Sequence, residues 1–154
     1  MTDGISKYEN VNVTTVDQGT LIIMAYEGAI GFVKIAKEKL AQNDYAGKSI
    51  NISNAVSIIN ELNARLNMEK GGETAKNLNK LYTFLSIHLT TANLKRDAHK
   101  LDESISIMQN ILNGWKIIIE KEKHNASNAT DVNIQPSQPM ANMGPIAGGI
   151  AVTA

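Results

Sequence analysis

The chain has 154 residues, with fifteen basic and fifteen acidic side chains and no cysteine. That length suits one domain around one core. The balanced charge removes the footprint of a nucleic-acid or anionic-membrane binder, and the missing thiols exclude disulfides and thiolate metal sites while permitting a cytoplasmic compartment.

All three prolines fall after residue 135, which leaves a body free of helix breakers and predicts an all-α fold. Residues 1–16 are polar, with isolated apolar points at Ile5, Tyr8, Val11, Val13 and Val16 and no sustained period. They are expected to form a flexible N-terminal arm. The start has no basic segment followed by an apolar run, and nowhere do eighteen apolar residues follow one another, so no direct membrane insertion is expected.

Asp17 is the expected N-cap of a first helix running from Gln18 to about Gln42. Leu21, Ala25, Gly28, Phe32 and Ile35 recur at helical spacing and form its expected core stripe, widened by Ile22, Met24, Ala29, Ala36 and Leu40. Glycine in mid-helix costs about 1 kcal/mol relative to alanine, so Gly28 implies close approach of a neighbouring helix. Asn43-Asp44 is a turn signal. A second helix is expected from about Ala46 to Met68, with Ile52, Ala55, Ile59, Leu62 and Leu66 inward, Val56 beside them, and Ile50 and Ile58 on the flanks. Its many asparagines lower intrinsic helicity and make it depend on packing.

Gly71-Gly72 separates the second helix from a third, whose stripe is Ala75, Leu78, Tyr82, Leu85, Leu89 and Ala92. Leu81, Phe84, Ile87 and Leu94 lie off that stripe. Asp97 is the expected cap of a fourth helix with Leu101, Ile105, Met108, Leu112, Trp115 and Ile119 inward, Trp115 filling the core with its indole N–H directed outward. Short connections force consecutive helices to run antiparallel, which gives an up-down-up-down four-helix bundle over residues 17–123. From His124 to Ala154 there is no lysine, arginine or glutamate and no helical period. This part is read as a disordered, low-complexity tail, a dispensable extension or a partner site.

Little in the chain suggests chemistry. A di-iron bundle needs Glu-x-x-His motifs, and none occurs; His88, His99 and His124 lie far apart in sequence without a partnered acidic set, so neither a metal nor another cofactor is expected. A histidine phosphotransfer module would place a lysine-glycine pair just after the histidine, whereas His88 is followed by Leu89-Thr90-Thr91 and His99 by Lys100-Leu101-Asp102. Gly71-Gly72 lacks the rest of a phosphate-binding loop. The chain reads as a binding protein rather than an enzyme. Its positive signal is surplus apolar surface at Phe84 and Ile87 on the third helix and Ile107, Ile111 and Ile118 on the fourth, with Ile50 and Ile58 as further candidates. Adjacent helices could combine these into a groove for an amphipathic segment, or bury them against a second copy in a structural homodimer.

The Glu69-Lys70-Gly71-Gly72-Glu73 opening, the Asn77-Leu78 and Leu81-Tyr82 pairs, the Ala92-Asn93-Leu94 exit with Asp97, and the string Leu21-Ile22-x-Met24-x-Tyr26-Glu27-Gly28-Ala29 resemble the flagellin-specific export chaperones, the FliS family. The resemblance runs from about Ile5 to Ile119, and Trp115 is similar to a tryptophan near the end of that family's last helix. It implies a cytoplasmic chaperone that holds the disordered C-terminal segment of flagellin in the groove, blocks polymerisation, and delivers its client to the membrane export gate. It further implies that Ile5 and Tyr8 dock to that gate. The chain departs from the family at Gln18, where a proline is usual; at Ala25, where a leucine is usual; at Ile87-His88, where two arginines are common; and in the length of its tail.

Overall fold

The computed structural model describes residues 18–128, which form helices α1 (Gln18–Ala41), α2 (Tyr45–Ala64), α3 (Gly72–Lys95) and α4 (Ala98–Asn128). Asp17, Ile5 and Tyr8 lie outside the described residues. Two of the three connections are closed by left-handed residues. Asn43 (φ 60°) ends α1, and the Asp44 N–H then reaches back to the Lys39 carbonyl at 2.8 Å. Asp44 next turns to the following helix, its carboxylate accepting from the Gly47 N–H at 2.9 Å. At the end of α3 the left-handed residue is Arg96 (φ 52°), with the Asp97 N–H on the Ala92 carbonyl at 3.0 Å. Asp97 caps α4 through the N–H groups of His99 and Lys100, as its sequence position predicts.

An arginine in the left-handed region is costly for an L-residue. The guanidinium of Arg96 lies 3.6 Å from the centroid of the Tyr45 ring, a cation–π contact that ties the start of α2 to the end of α3. Lys48 reinforces the same corner: its Nζ donates to the Asn93 carbonyl at 2.8 Å, satisfying a carbonyl in the last turn of α3. Only 3% of Lys48 is exposed, its stem covered and its ammonium end close to the surface. Burial, and then the Arg96 charge, lower its pKa from the ordinary lysine value.

Side-chain pairs give the direction of each helix. Lys48 and Ser49 bond to Asn93, Asn60 to Ser86 and Asn63 to Asn79, so numbers rise on α2 as they fall on α3. Lys37–Asp102 (2.6 Å) and Lys116–Glu27 (3.5 Å) set α1 against α4 in the same opposed sense. The helices pack in a closed ring, α1 on α2, α2 on α3, α3 on α4 and α4 on α1. This is the expected up-down-up-down bundle. Its thinnest seam lies between α3 and α4.

The core contains the whole expected stripes of α2 and α3, and on α4 Leu101, Met108, Leu112, Trp115 and Ile119, with Ile105 half-buried. Three expectations need correction. On α1 the buried residues are Ile22, Tyr26, Ala29, Ile30, Val33 and Ala36, whereas Leu21, Met24 and Ile35 are exposed. This helix is apolar nearly all round, so period alone does not choose its inner face. The choice follows Tyr26, which meets Tyr82 in the core, and the small Ala29 and Ala36 beside it. Gly28 is not a point of tight helix approach: a methyl there would meet Ile58 Cδ1 at an ordinary 3.5 Å. Finally, α2 ends at Ala64 rather than near Met68, while α4 continues past His124 to Asn128. α1 is long and apolar enough by composition to span a membrane; in the bundle its Ala29, Val33 and Ala36 are wholly buried while Leu21, Met24 and Ile35 remain exposed.

Candidate functional site

The ion pairs of α4 mark its two flanks. Asp102 and Lys116 face α1, whereas Glu103 faces α3, where its Oε1 meets His88 Nε2 at 2.9 Å. Ile107, Ile111, Gly114 and Ile118 follow Glu103 at steps of four, four, three and four, which keeps all of them on the flank toward α3. On α3, Leu81 and Phe84 precede His88 by seven and four residues and share its flank toward α4. Phe84 stacks on the His88 ring at 4.9 Å with an interplanar angle of 22°. The thin α3–α4 seam is therefore lined by Leu81, Phe84, Ile107, Gly114 and Ile118, and closed at one end by the His88–Glu103 pair.

Exposure within this strip is graded. Phe84 is 46% exposed and Ile87, one turn farther along the outer face of α3, is 61% exposed. Leu81 and Ile107 are half-buried and pack on the core, and Ile118 is half-buried. Ile111 is only 7% exposed and belongs to the core. Its place off the expected stripe is thus corrected: α4 turns Ile111 inward, and the residue is the floor of the seam rather than its wall. Ile117, 59% exposed on the outer face of α4, was missed. The period did carry a signal for it: Ile117 stands two residues from both Trp115 and Ile119, and so on the face opposite the inward stripe.

Ile50 and Ile58 belong to a different surface. Ile58 sits against Gly28 of α1, and Leu21, Gly28 and Ile35 repeat every seven residues along that helix. Leu21 and Ile35, on the Gly28 face of α1, give the α1–α2 side with Ile58 an apolar strip of its own, while Met24 and Ile50, 59% and 62% exposed, lie toward the outer faces of their helices. Because the helices form a ring, the α1–α2 and α3–α4 strips lie on opposite sides of the bundle. The seven candidate side chains thus divide into five around one seam and two on α2. The intervening α2–α3 side is polar, with Ser49, Asn60, Asn63, Asn79, Ser86 and Asn93 paired across it and a shallow hollow between Val56 and Thr90.

His88 and His99, distant from each other in sequence, are brought together by Glu103, whose Oε2 lies 3.5 Å from His99 Nε2. The expectation that they have no common acidic partner is corrected. Among the described residues no group of histidine, aspartate or glutamate side chains is arranged to hold a metal ion. The described residues offer two apolar strips, an arrangement suited to taking up apolar anchors from another chain.

The family model described as flagellar protein FliS matches residues 1–122. The chain is 37% identical over 123 residues to the flagellar secretion chaperone FliS of Salmonella typhimurium, covering 77% of this chain and 91% of that protein. It is 33% identical over 138 residues to FliS of Vibrio cholerae, covering 87% of this chain and all of the relative. With FliS of Bacillus subtilis the identity is 29% over 116 residues, 75% of this chain and 86% of that protein.

Proposed function

The chain belongs to the FliS family of flagellar secretion chaperones, and from this premise we propose that its client is flagellin, whose disordered C-terminal segment fills the apolar seam between α3 and α4. The observation that carries this reading is the alignment of Leu81, Phe84, Ile107 and Ile118 along the thinnest seam of the ring, with Phe84 and the neighbouring Ile87 exposed. An incoming amphipathic helix places anchors at i, i+3, i+4 and i+7, the spacing these residues present from both walls. Once the client's apolar face is occupied, it is no longer available to neighbouring flagellin subunits, so polymerisation is blocked in the cytoplasm until export.

Ordering a disordered client consumes about 2–5 kcal/mol or more of the gross contact energy. Fully burying one large apolar side chain returns about 1.5–3 kcal/mol, so a few anchors in the α3–α4 seam offset the ordering cost and contacts elsewhere set the affinity. The α1–α2 strip, with Leu21, Ile35 and Ile58, and the exposed Met24 and Ile50 outside it, supply such contacts if the client wraps around the bundle. Delivery to the membrane export gate is assigned to Ile5 and Tyr8, on the arm preceding α1.

A second copy of the chain is the competing occupant, and the exposed α1–α2 strip favours it. A phosphotransfer role for His88 is disfavoured, because it is only 13% exposed and its Nε2 is engaged by Glu103; the exposed His99 lacks the lysine-glycine pair such a site carries. Titration calorimetry of the full chain with the last forty or so residues of flagellin from the same source tests the proposal. Micromolar or tighter binding, about −8 kcal/mol or better, is expected. No binding, together with a concentration-independent dimer in light scattering, would replace flagellin by self-association.

A further inference from the structure

The family match ends at residue 122, yet the chain continues for a further stretch with a composition unlike the body. We propose that the C-terminal segment 129–154 of this chain occupies its own α3–α4 seam when no client is bound, and is displaced by the client. This rests on the reading of that seam as the client site.

Three observations select this occupant. The first is connection. α4 is one wall of the seam and runs on to Asn128, beyond its last buried residue, Ile119. A segment continuing from Asn128 therefore starts about 15 Å beyond Ile118 at 1.5 Å per residue, on the same helix that forms the wall, and has only to turn back along it. From Asn128 to Glu103 the path is about 38 Å at 1.5 Å per residue, and twelve extended residues span about 40 Å. Met140 and Met143 can thus reach Phe84 and Ile107, with Ile146 and Ile150 still to spare.

The second is chemistry. From residue 129 onward Asp131 is the sole charged side chain, and Met140, Met143, Ile146, Ile150 and Val152 supply apolar anchors. Methionine adapts to irregular apolar gaps. Pro136, Pro139 and Pro145 oppose a continuous helix, so the segment offers fewer anchors in register than an amphipathic helix. That makes it a replaceable occupant. The third is the geometry of the alternatives. α4's other flank, toward α1, is crossed by the Lys37–Asp102 and Lys116–Glu27 ion pairs, and the α1–α2 strip lies on the opposite side of the bundle.

A tethered segment competes at an effective concentration of about millimolar. Even a sequence whose affinity as a free peptide is only about millimolar would therefore fill the seam half the time. The tail would shield Phe84 and Ile107 from non-cognate chains and set a threshold that a true client must exceed.

The absence of cysteine makes a direct test clean. Full-length protein carrying Ser137→Cys is modified with a nitroxide, and amide signals of the bundle are recorded by NMR before and after the nitroxide is reduced. Selective broadening of Leu81, Phe84, Ile107, Gly114 and Ile118, with Ile35 and Ile50 unaffected, is the expected result. No broadening along the seam, or broadening centred on the α1–α2 strip, would overturn the proposal. So would broadening that transfers to unmodified, isotope-labelled protein in a mixed sample, because the occupant would then be a second copy. Adding the flagellin C-terminal segment should restore the signals. Broadening that persists while flagellin fails to bind would leave tail docking intact and remove flagellin as the client.

Discussion

The hydroxyls of Tyr26 on α1 and Tyr82 on α3 hydrogen-bond to each other in the core, across the diagonal between two helices that are not neighbours in the ring. Both residues are 1% exposed, with ring centroids 6.4 Å apart. The buried indole N–H of Trp115 lies close enough to Tyr26 to favour its phenolate slightly, but it makes no hydrogen bond of good geometry. It is not directed outward as its sequence position suggested. Tyr82→Phe leaves the Tyr26 hydroxyl without a partner in the core, which should cost about 1–3 kcal/mol. Removing both hydroxyls should cost less than the two single changes added together. Urea denaturation of the four-member cycle checks this, and strict additivity would show that the bond does not couple the diagonal.

The same pair sets an alkaline limit. Burial pushes the Tyr82 hydroxyl up to about 12 from the ordinary 10.0, and burial followed by the neighbouring Tyr82 raises Tyr26 well above that ordinary value. Over this range the unfolded chain releases phenolic protons that the folded bundle still holds, so stability is fully present below pH 10 and falls as pH rises toward 12. Chemical denaturation at pH 8, 10 and 11 should show a steeper loss in the wild type than in Tyr26→Phe/Tyr82→Phe. Parallel curves would assign the alkaline loss to other groups.

Three helical glycines should respond to alanine with different signs. At Gly31 an added methyl meets nothing within 4 Å, and at Gly28 it meets Ile58 Cδ1 at ordinary contact, so alanine should stabilise by about 1 kcal/mol at each. At Gly47 it would sit 2.5 Å from Asp44 Oδ2, displacing the carboxylate that caps α2. Gly47→Ala should therefore destabilise by about 1 kcal/mol, and Asp44→Ala by a similar amount. Thermal melts of the four variants distinguish this ordering from a uniform helix-propensity effect.

The gate-docking role proposed for Ile5 and Tyr8 would separate binding from delivery. Ile5→Ala/Tyr8→Ala should retain client affinity within about twofold in calorimetry while flagellin secretion falls. Equal loss of both would place these residues in the client site instead.

Legibility in the sequence followed chemical contrast. The stripes of α2 and α3 could be read because polar residues bracket them; Asn43-Asp44 announced a turn and Asp97 a helix cap, whereas the capping role of Asp44 emerged only in the fold. On α1, where Leu21, Ile22, Ile23 and Met24 follow one another, period could not choose a face, and the decision lay in the distant Tyr82. A related limit misplaced Ile111, which lies at the edge of the α4 stripe and takes its burial from a helix rotation that only packing fixes, whereas Ile117, opposite Trp115 and Ile119, was legible from the period. The joint engagement of His88 and His99 by Glu103 was likewise invisible, because it depends on how α3 and α4 are paired.

The central claim, that client anchors enter the α3–α4 seam, is tested most directly by the dissociation constant of the flagellin C-terminal segment for wild type and Phe84→Asp. Phe84 is nearly half exposed, so the variant should fold with an unchanged melting profile, whereas a charge at the floor residue Ile111 would disrupt the core. The account predicts at least tenfold weaker binding, about 1.4 kcal/mol. An unchanged dissociation constant in a folded Phe84→Asp protein would contradict it.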